Sequence, residues 1–94
     1  MSLDAVYKQI GEFSAEAGAR RVLLFGSRAR GDNLPKSDID LAVEGCPDTA
    51  ALADRLQNEL WTLLKLDIVD LDSCTSDELR DEIERDKVVL YEAL

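Results

Sequence analysis

Apolar residues along this chain recur with two alternating periods. Leu3, Val6, Tyr7, Ile10, Phe13 and Ala17 repeat at the spacing of one helix face. Ser2 suits an N-cap and Gly18 a stop. Arg21-Val22-Leu23-Leu24-Phe25 is a short apolar run ended by Gly26, the pattern of a buried strand. Residues 27–32 read as a helical turn that Gly31 ends. From Asp38 to Val43 polar and apolar positions alternate, with Ile39, Leu41 and Val43 on one side, which predicts a second strand. Gly45, Pro47 and Asp48 break the chain and start a helix whose apolar face is Leu52, Leu56, Leu60, Leu63 and Leu64. Lys65 to Leu71 reads as a third strand. Thr75-Ser76-Asp77-Glu78 has the capping-box pattern ahead of a helix through Leu79 and Ile83. Val88 to Tyr91 suits a last, short strand. The alternation predicts an α/β (α+β) domain, with helices packed on a small mixed sheet.

At 94 residues the chain is expected to form one domain, residues 1–94. A core that small is thin, so a homo- or hetero-oligomer that covers apolar surface is expected to help it. No apolar run approaches membrane-spanning length and no basic-then-apolar leader opens the chain, so the expectation is a cytoplasmic protein with no membrane contact. Cys46 and Cys74 match no metal-binding spacing and read as free thiols. The sequence has no histidine. That excludes Ser-His-Asp and Cys-His schemes and histidine-ligated zinc, leaving carboxylates for any acid–base or metal work.

The net charge of -9 is lopsided. Residues 1–47 carry seven acidic and six basic side chains, whereas residues 48–94 carry thirteen and five. Nucleic-acid binders show the opposite sign, so no direct nucleic-acid contact is expected. A nucleotide with its metal, or a basic partner, fits better. The acidic run from Asp77 to Asp86 reads most simply as a solvated helix face. Trp61 falls off the leucine stripe, either half-buried or at the centre of a partner-binding patch.

The chemistry concentrates between the first two strands. Asp38 and Asp40 are two apart, so on a strand they face one side. Side-by-side carboxylates repel unless something neutralises them, and a hard cation such as Mg²⁺ takes oxygen ligands of this kind. Gly26 lets a phosphate approach the backbone, and Ser27 opens a helical turn whose hydroxyl and amides can hold it. Arg28 and Arg30, in the same loop, are candidates for phosphate oxygens or for plain surface roles.

With Phe25-Gly26-Ser27-Arg28-Ala29-Arg30-Gly31, ten residues between Ser27 and Asp38, and then Asp38-Ile39-Asp40, the chain resembles the minimal nucleotidyltransferases of the DNA polymerase beta-like superfamily. Their signature is Gly-Ser, a spacer of about this length, and Asp-x-Asp. The resemblance spans nearly the whole chain. It implies a nucleotidyltransferase fold with the active site along one edge or face of the sheet, and Asp38 and Asp40 as Mg²⁺ ligands. It also implies a third carboxylate from a later strand, supplied here by Leu66-Asp67-Ile68-Val69-Asp70. Asp67 and Asp70 are three apart and face opposite sides of a regular strand, so only one can join the site. The resemblance favours Asp67, as metal ligand or as acceptor of the attacking hydroxyl's proton.

The implied reaction transfers a nucleoside monophosphate from an NTP, with ATP as the expected donor, to an acceptor hydroxyl. Stand-alone members are commonly encoded beside a helical HEPN-type protein. Several such pairs are toxin–antitoxin systems in which the nucleotidyltransferase adenylylates a tyrosine of the toxin. The expected acceptor is therefore a partner protein. The alternative is a catalytically silent antitoxin that neutralises its partner by contact. Antibiotic nucleotidyltransferases of the superfamily usually carry a further C-terminal domain, for which these 94 residues are not expected to leave room.

Overall fold

The computed structural model describes residues 3–60 and 62–93. The elements are α1 (Leu3–Glu16), β1 (Arg21–Phe25), α2 (Ser27–Arg30), β2 (Ile39–Glu44), α3 (Thr49–Glu59), β3 (Leu66–Asp70), a 3-10 turn (Leu71–Ser73), α4 (Asp77–Asp86) and β4 (Val88–Glu92). The readings for Ser2 and Trp61 fall outside the described residues.

The four strands form one mixed sheet in the order β3-β2-β1-β4. β1 is antiparallel to both β2 and β4, and β2 is parallel to β3. The parallel pair needs a crossover, which α3 provides. Helices cover both faces. On one, Val22, Leu24, Ile39, Leu41, Val43 and Leu66 pack with Val6 and Ile10 of α1 and Leu52 and Leu56 of α3. On the other, Leu23, Phe25 and Ala42 pack with Ile83 of α4 and with Leu71. Coverage on both sides explains why β1 is an unbroken apolar run, buried from Val22 to Phe25. β2 is also central, yet its α4 face carries Asp40 where burial would favour an apolar residue.

Several boundaries differ from expectation. β2 opens at Ile39, which leaves Asp38 exposed just ahead of the strand and not on it. α3 ends at Glu59, with Leu60 extended as its C-cap. Leu63 is therefore not on the helix and is fully exposed, while Leu64 returns to pack against the core. No Gly or Pro marks that stop, so the leucine period runs past it. Ser76, not Thr75, caps α4, its hydroxyl accepting from the Leu79 amide. Glu78 then sits one position too early to close a capping box. The third strand stops at Asp70, which caps the 3-10 turn by accepting from the Asp72 amide. Both cysteines are free thiols. No helix among the described residues is long and apolar enough to cross a membrane.

Candidate active site

The candidate site grows from the turn that ends β1. Gly26 has φ 75° and ψ −156°, a region open essentially to glycine alone. A Cβ at Gly26 would lie 3.3 Å from Asp40 Cγ and inside contact distance of Asp40 Oδ2. The Gly-Ser turn is thus fitted against the second aspartate of the Asp-x-Asp pair. α2 starts immediately after it. The Gly26 carbonyl accepts from the amides of Ala29 and Arg30, so those of Ser27 and Arg28 have no partner within the helix.

Register brings the carboxylates together. Asp40 lies opposite Phe25 on β1 and opposite Asp67 on β3. Parallel neighbours share a face, so Asp40 and Asp67 point to the α4 side, and Asp38, exposed just ahead of β2, lies near enough for its charge to act on Asp40. Asp70 lies opposite Val43, on the alternate face, and its carboxylate also accepts from the Ser73 hydroxyl at 3.1 Å. Asp67 faces the site, and Asp70 is spent on the chain reversal.

The charges act on one another. Burial holds the Asp40 carboxyl above the usual carboxylate range, and the negative charges of Asp67, Asp38 and Glu82 push it further. Arg30 pulls the other way. Among the described residues no three carboxylate or thiol groups stand close enough to enclose an ion by themselves. The donor set nonetheless suits Mg²⁺. All of it is oxygen, and Mg²⁺ commonly takes one or two carboxylates and completes its shell with waters and substrate phosphates.

The two arginines are engaged within the protein. Arg28 spans to the loop ahead of β2, its Nε and Nη2 donating to the Ser37 carbonyl at 3.0 and 2.8 Å and Nη2 also to the Pro35 carbonyl at 3.1 Å. Arg30 reaches Asp32 at 3.1 Å, Asp86 at 2.8 Å and Glu82 at 4.0 Å. Lys36 is exposed, and the Ser37 hydroxyl accepts from the Leu34 amide. Part of the acidic run is therefore not a plain solvated face. Glu82 and Asp86, one helical turn apart beside the buried Ile83, look toward the site and hold Arg30. The signal is in the sequence, since Glu82 and Asp86 flank Ile83, the buried apolar residue of α4.

The sequence profile of the polymerase beta nucleotidyltransferase family matches residues 8–93. No curated protein matches the chain in sequence. Several solved structures do match. One is a toxin–antitoxin crystal structure with AMP-PNP, at 26% identity and TM-score 0.75, covering 93% of this chain and 73% of that one. A second belongs to the MntA-HpeT toxin–antitoxin pair, at 27% identity and TM-score 0.70, covering 90% and 71%. A third, provisionally described as a minimal nucleotidyltransferase, is 32% identical with TM-score 0.72 and covers 92% and 90%. With the family profile covering all but the chain's ends, and with this sheet carrying the Gly-Ser turn against Asp-x-Asp, the chain belongs to the polymerase beta nucleotidyltransferase family and has the minimal nucleotidyltransferase fold.

Proposed function

We propose that this protein transfers AMP from ATP to a hydroxyl of a helical, HEPN-type partner protein and thereby acts as its antitoxin. The observation that carries the reading is the meeting of Asp40 with Asp67 across β2 and β3, beside the Gly26 turn, in a cluster of like charges. Such a cluster favours a cation and a phosphate chain over an empty site. The similarity to toxin–antitoxin structures, one of them with AMP-PNP, supports a nucleotide and a protein partner.

In this reading Gly26 and the first amides of α2 receive the phosphates, and the Ser27 hydroxyl adds a donor. Asp38 and Asp40 would hold Mg²⁺, with Asp67 beside them. Bound Mg²⁺ would neutralise charge on the attacking and leaving oxygens of an in-line displacement. The acceptor oxygen bonds to the α-phosphorus as the bond to the pyrophosphate oxygen breaks. Asp67 takes the acceptor's proton, and pyrophosphate leaves. The protein acts in the cytoplasm and touches no nucleic acid directly, in keeping with its charge of -9.

The test co-expresses the protein with its genomic neighbour, supplies Mg²⁺ and each NTP in turn, and reads intact masses of both chains. A nucleotide-sized gain on the neighbour, lost in Asp38→Asn/Asp40→Asn, is expected with ATP. A stable complex of wild type and variant alike, with no mass gain from any NTP, would overturn the transfer reading in favour of neutralisation by contact.

A further inference from the structure

We infer that Arg28 is a positioning residue that fixes Asp38 relative to the Gly26–Ser27 turn, and is not a ligand of the triphosphate. The inference rests on the nucleotidyl-transfer reading of the site. Residues 31–38 connect α2 to β2 and are largely exposed, with Leu34 at 74%. Their internal ties are short-range. The Ser37 amide donates to the Leu34 carbonyl at 3.0 Å, the Leu34 amide to the Ser37 hydroxyl at 2.9 Å, and the Asn33 side chain to the Leu34 carbonyl at 3.0 Å. Such bonds shape a turn without placing it on the domain.

The α2 end of the connection is held by the Asp32 amide on the Ser27 carbonyl at 3.1 Å and by Arg30 on the Asp32 carboxylate, and Arg28 supplies the placement at the Asp38 end. Two N–H groups of its guanidinium converge on the Ser37 carbonyl, at 2.8 and 3.0 Å, and one of them also reaches Pro35. The gripped carbonyl belongs to the peptide that leads into Asp38. On the far side of Asp38, the Ile39 amide donates to the Lys65 carbonyl at 2.9 Å. Asp38 is exposed and outside β2, yet the peptides on both its sides are pinned, one to α2 and one to the lead-in of β3. Because Arg28 is the residue after Ser27, a single side chain couples the phosphate-side turn to the first carboxylate. The fork commits the Nε–Nη2 edge of the guanidinium to backbone carbonyls, and lysine cannot reproduce it.

The test uses the full chain with its partner and Mg²⁺-ATP. Misplacing a reacting group by about 1 Å can cost ~100-fold in rate, so Arg28→Ala is expected to lower kcat about 10- to 100-fold with KM for ATP nearly unchanged. Amide hydrogen exchange at residues 33–38 should quicken about tenfold or more while β1 and α1 keep their protection. Should Arg28→Ala fail to fold, Arg28→Lys, which keeps the charge but loses the fork, is expected to show the same kcat-against-KM split in weaker form. A raised KM with kcat intact would assign Arg28 to the triphosphate and overturn the inference. So would unchanged exchange at 33–38. If wild type itself shows no transfer, the nucleotidyl-transfer reading fails, and the exchange result still decides whether Arg28 anchors Asp38.

Discussion

Replacing Gly26 by alanine tests the fit between the Gly-Ser turn and Asp40. The substitution meets two separable obstacles. The backbone at φ 75° and ψ −156° lies where only glycine is comfortable, which for a side-chain-bearing residue costs about 1–3 kcal/mol. The new Cβ would also crowd Asp40, 3.3 Å from Cγ and closer still to Oδ2, so the carboxylate must rotate away. In a domain of this size ~1 kcal/mol corresponds to roughly 4–8 °C in Tm, so a loss of about 5–20 °C is expected from strain and crowding together. A double-mutant cycle with Asp40→Ala separates them. Truncation removes Cγ and Oδ2 and leaves Asp40 Cβ at 3.5 Å, an ordinary contact. The cost of Gly26→Ala should then fall by about 0.5–2 kcal/mol, a coupling in the range found for residues in contact. Thermal or urea melts of the four proteins supply the numbers. Equal costs in both backgrounds would refute the close approach of Asp40. A cost under about 0.5 kcal/mol in both would refute the turn conformation as well.

Two further predictions concern the carboxylates. Asp40 has a folded value raised above the ordinary 3.8, chiefly by burial and then by Asp67 and Asp38. As pH rises from 3.8 through that raised value the native state holds the extra proton, so stability falls across the window and stays lower above it. Without added Mg²⁺ at pH 7, Asp40→Asn should therefore stabilise the protein, by about 0.5 kcal/mol on the scale of cross-strand like-charge pairs. The gain should vanish in melts below pH 3.8, and a destabilised Asp40→Asn at neutral pH would refute the repulsion. Asp67→Asn and Asp70→Ala should separate function from folding. The first is expected to abolish transfer with Tm unchanged or slightly raised, since it relieves the same repulsion on Asp40. The second should lose about 1 kcal/mol with its cap to the 3-10 turn but retain transfer, and the reverse pattern would reassign the third carboxylate.

Most of the architecture is legible in the sequence because its cues are local. The β1 run, the alternation of Ile39, Leu41 and Val43, and the stripe of Leu52 and Leu56 each announce an element and its buried face. Local cues fail where the deciding partner is distant. Nothing near Leu60 announces the end of α3, so Leu63 reads as core although it is exposed. The choice between Asp67 and Asp70 depends on which residue of β2 each one faces, a register that spacing within β3 cannot supply. Arg28 and Arg30 look alike in the sequence. One meets backbone carbonyls seven and nine residues on and the other a carboxylate 56 residues on, and only the folded chain decides between them.

The parallel pairing of β2 with β3 also limits how this chain can vary in length. The alignment of Asp40 with Asp67 is a matter of counting. One residue added between Lys65 and Leu66 within the paired segment would bring Leu66 opposite Asp40 and turn Asp67 over, because successive strand residues alternate faces. A residue added among 62–64, outside the strand, only lengthens a connection and costs a few tenths of a kcal/mol by loop entropy. Homologous chains should therefore differ freely in length before β3 and hardly at all within it.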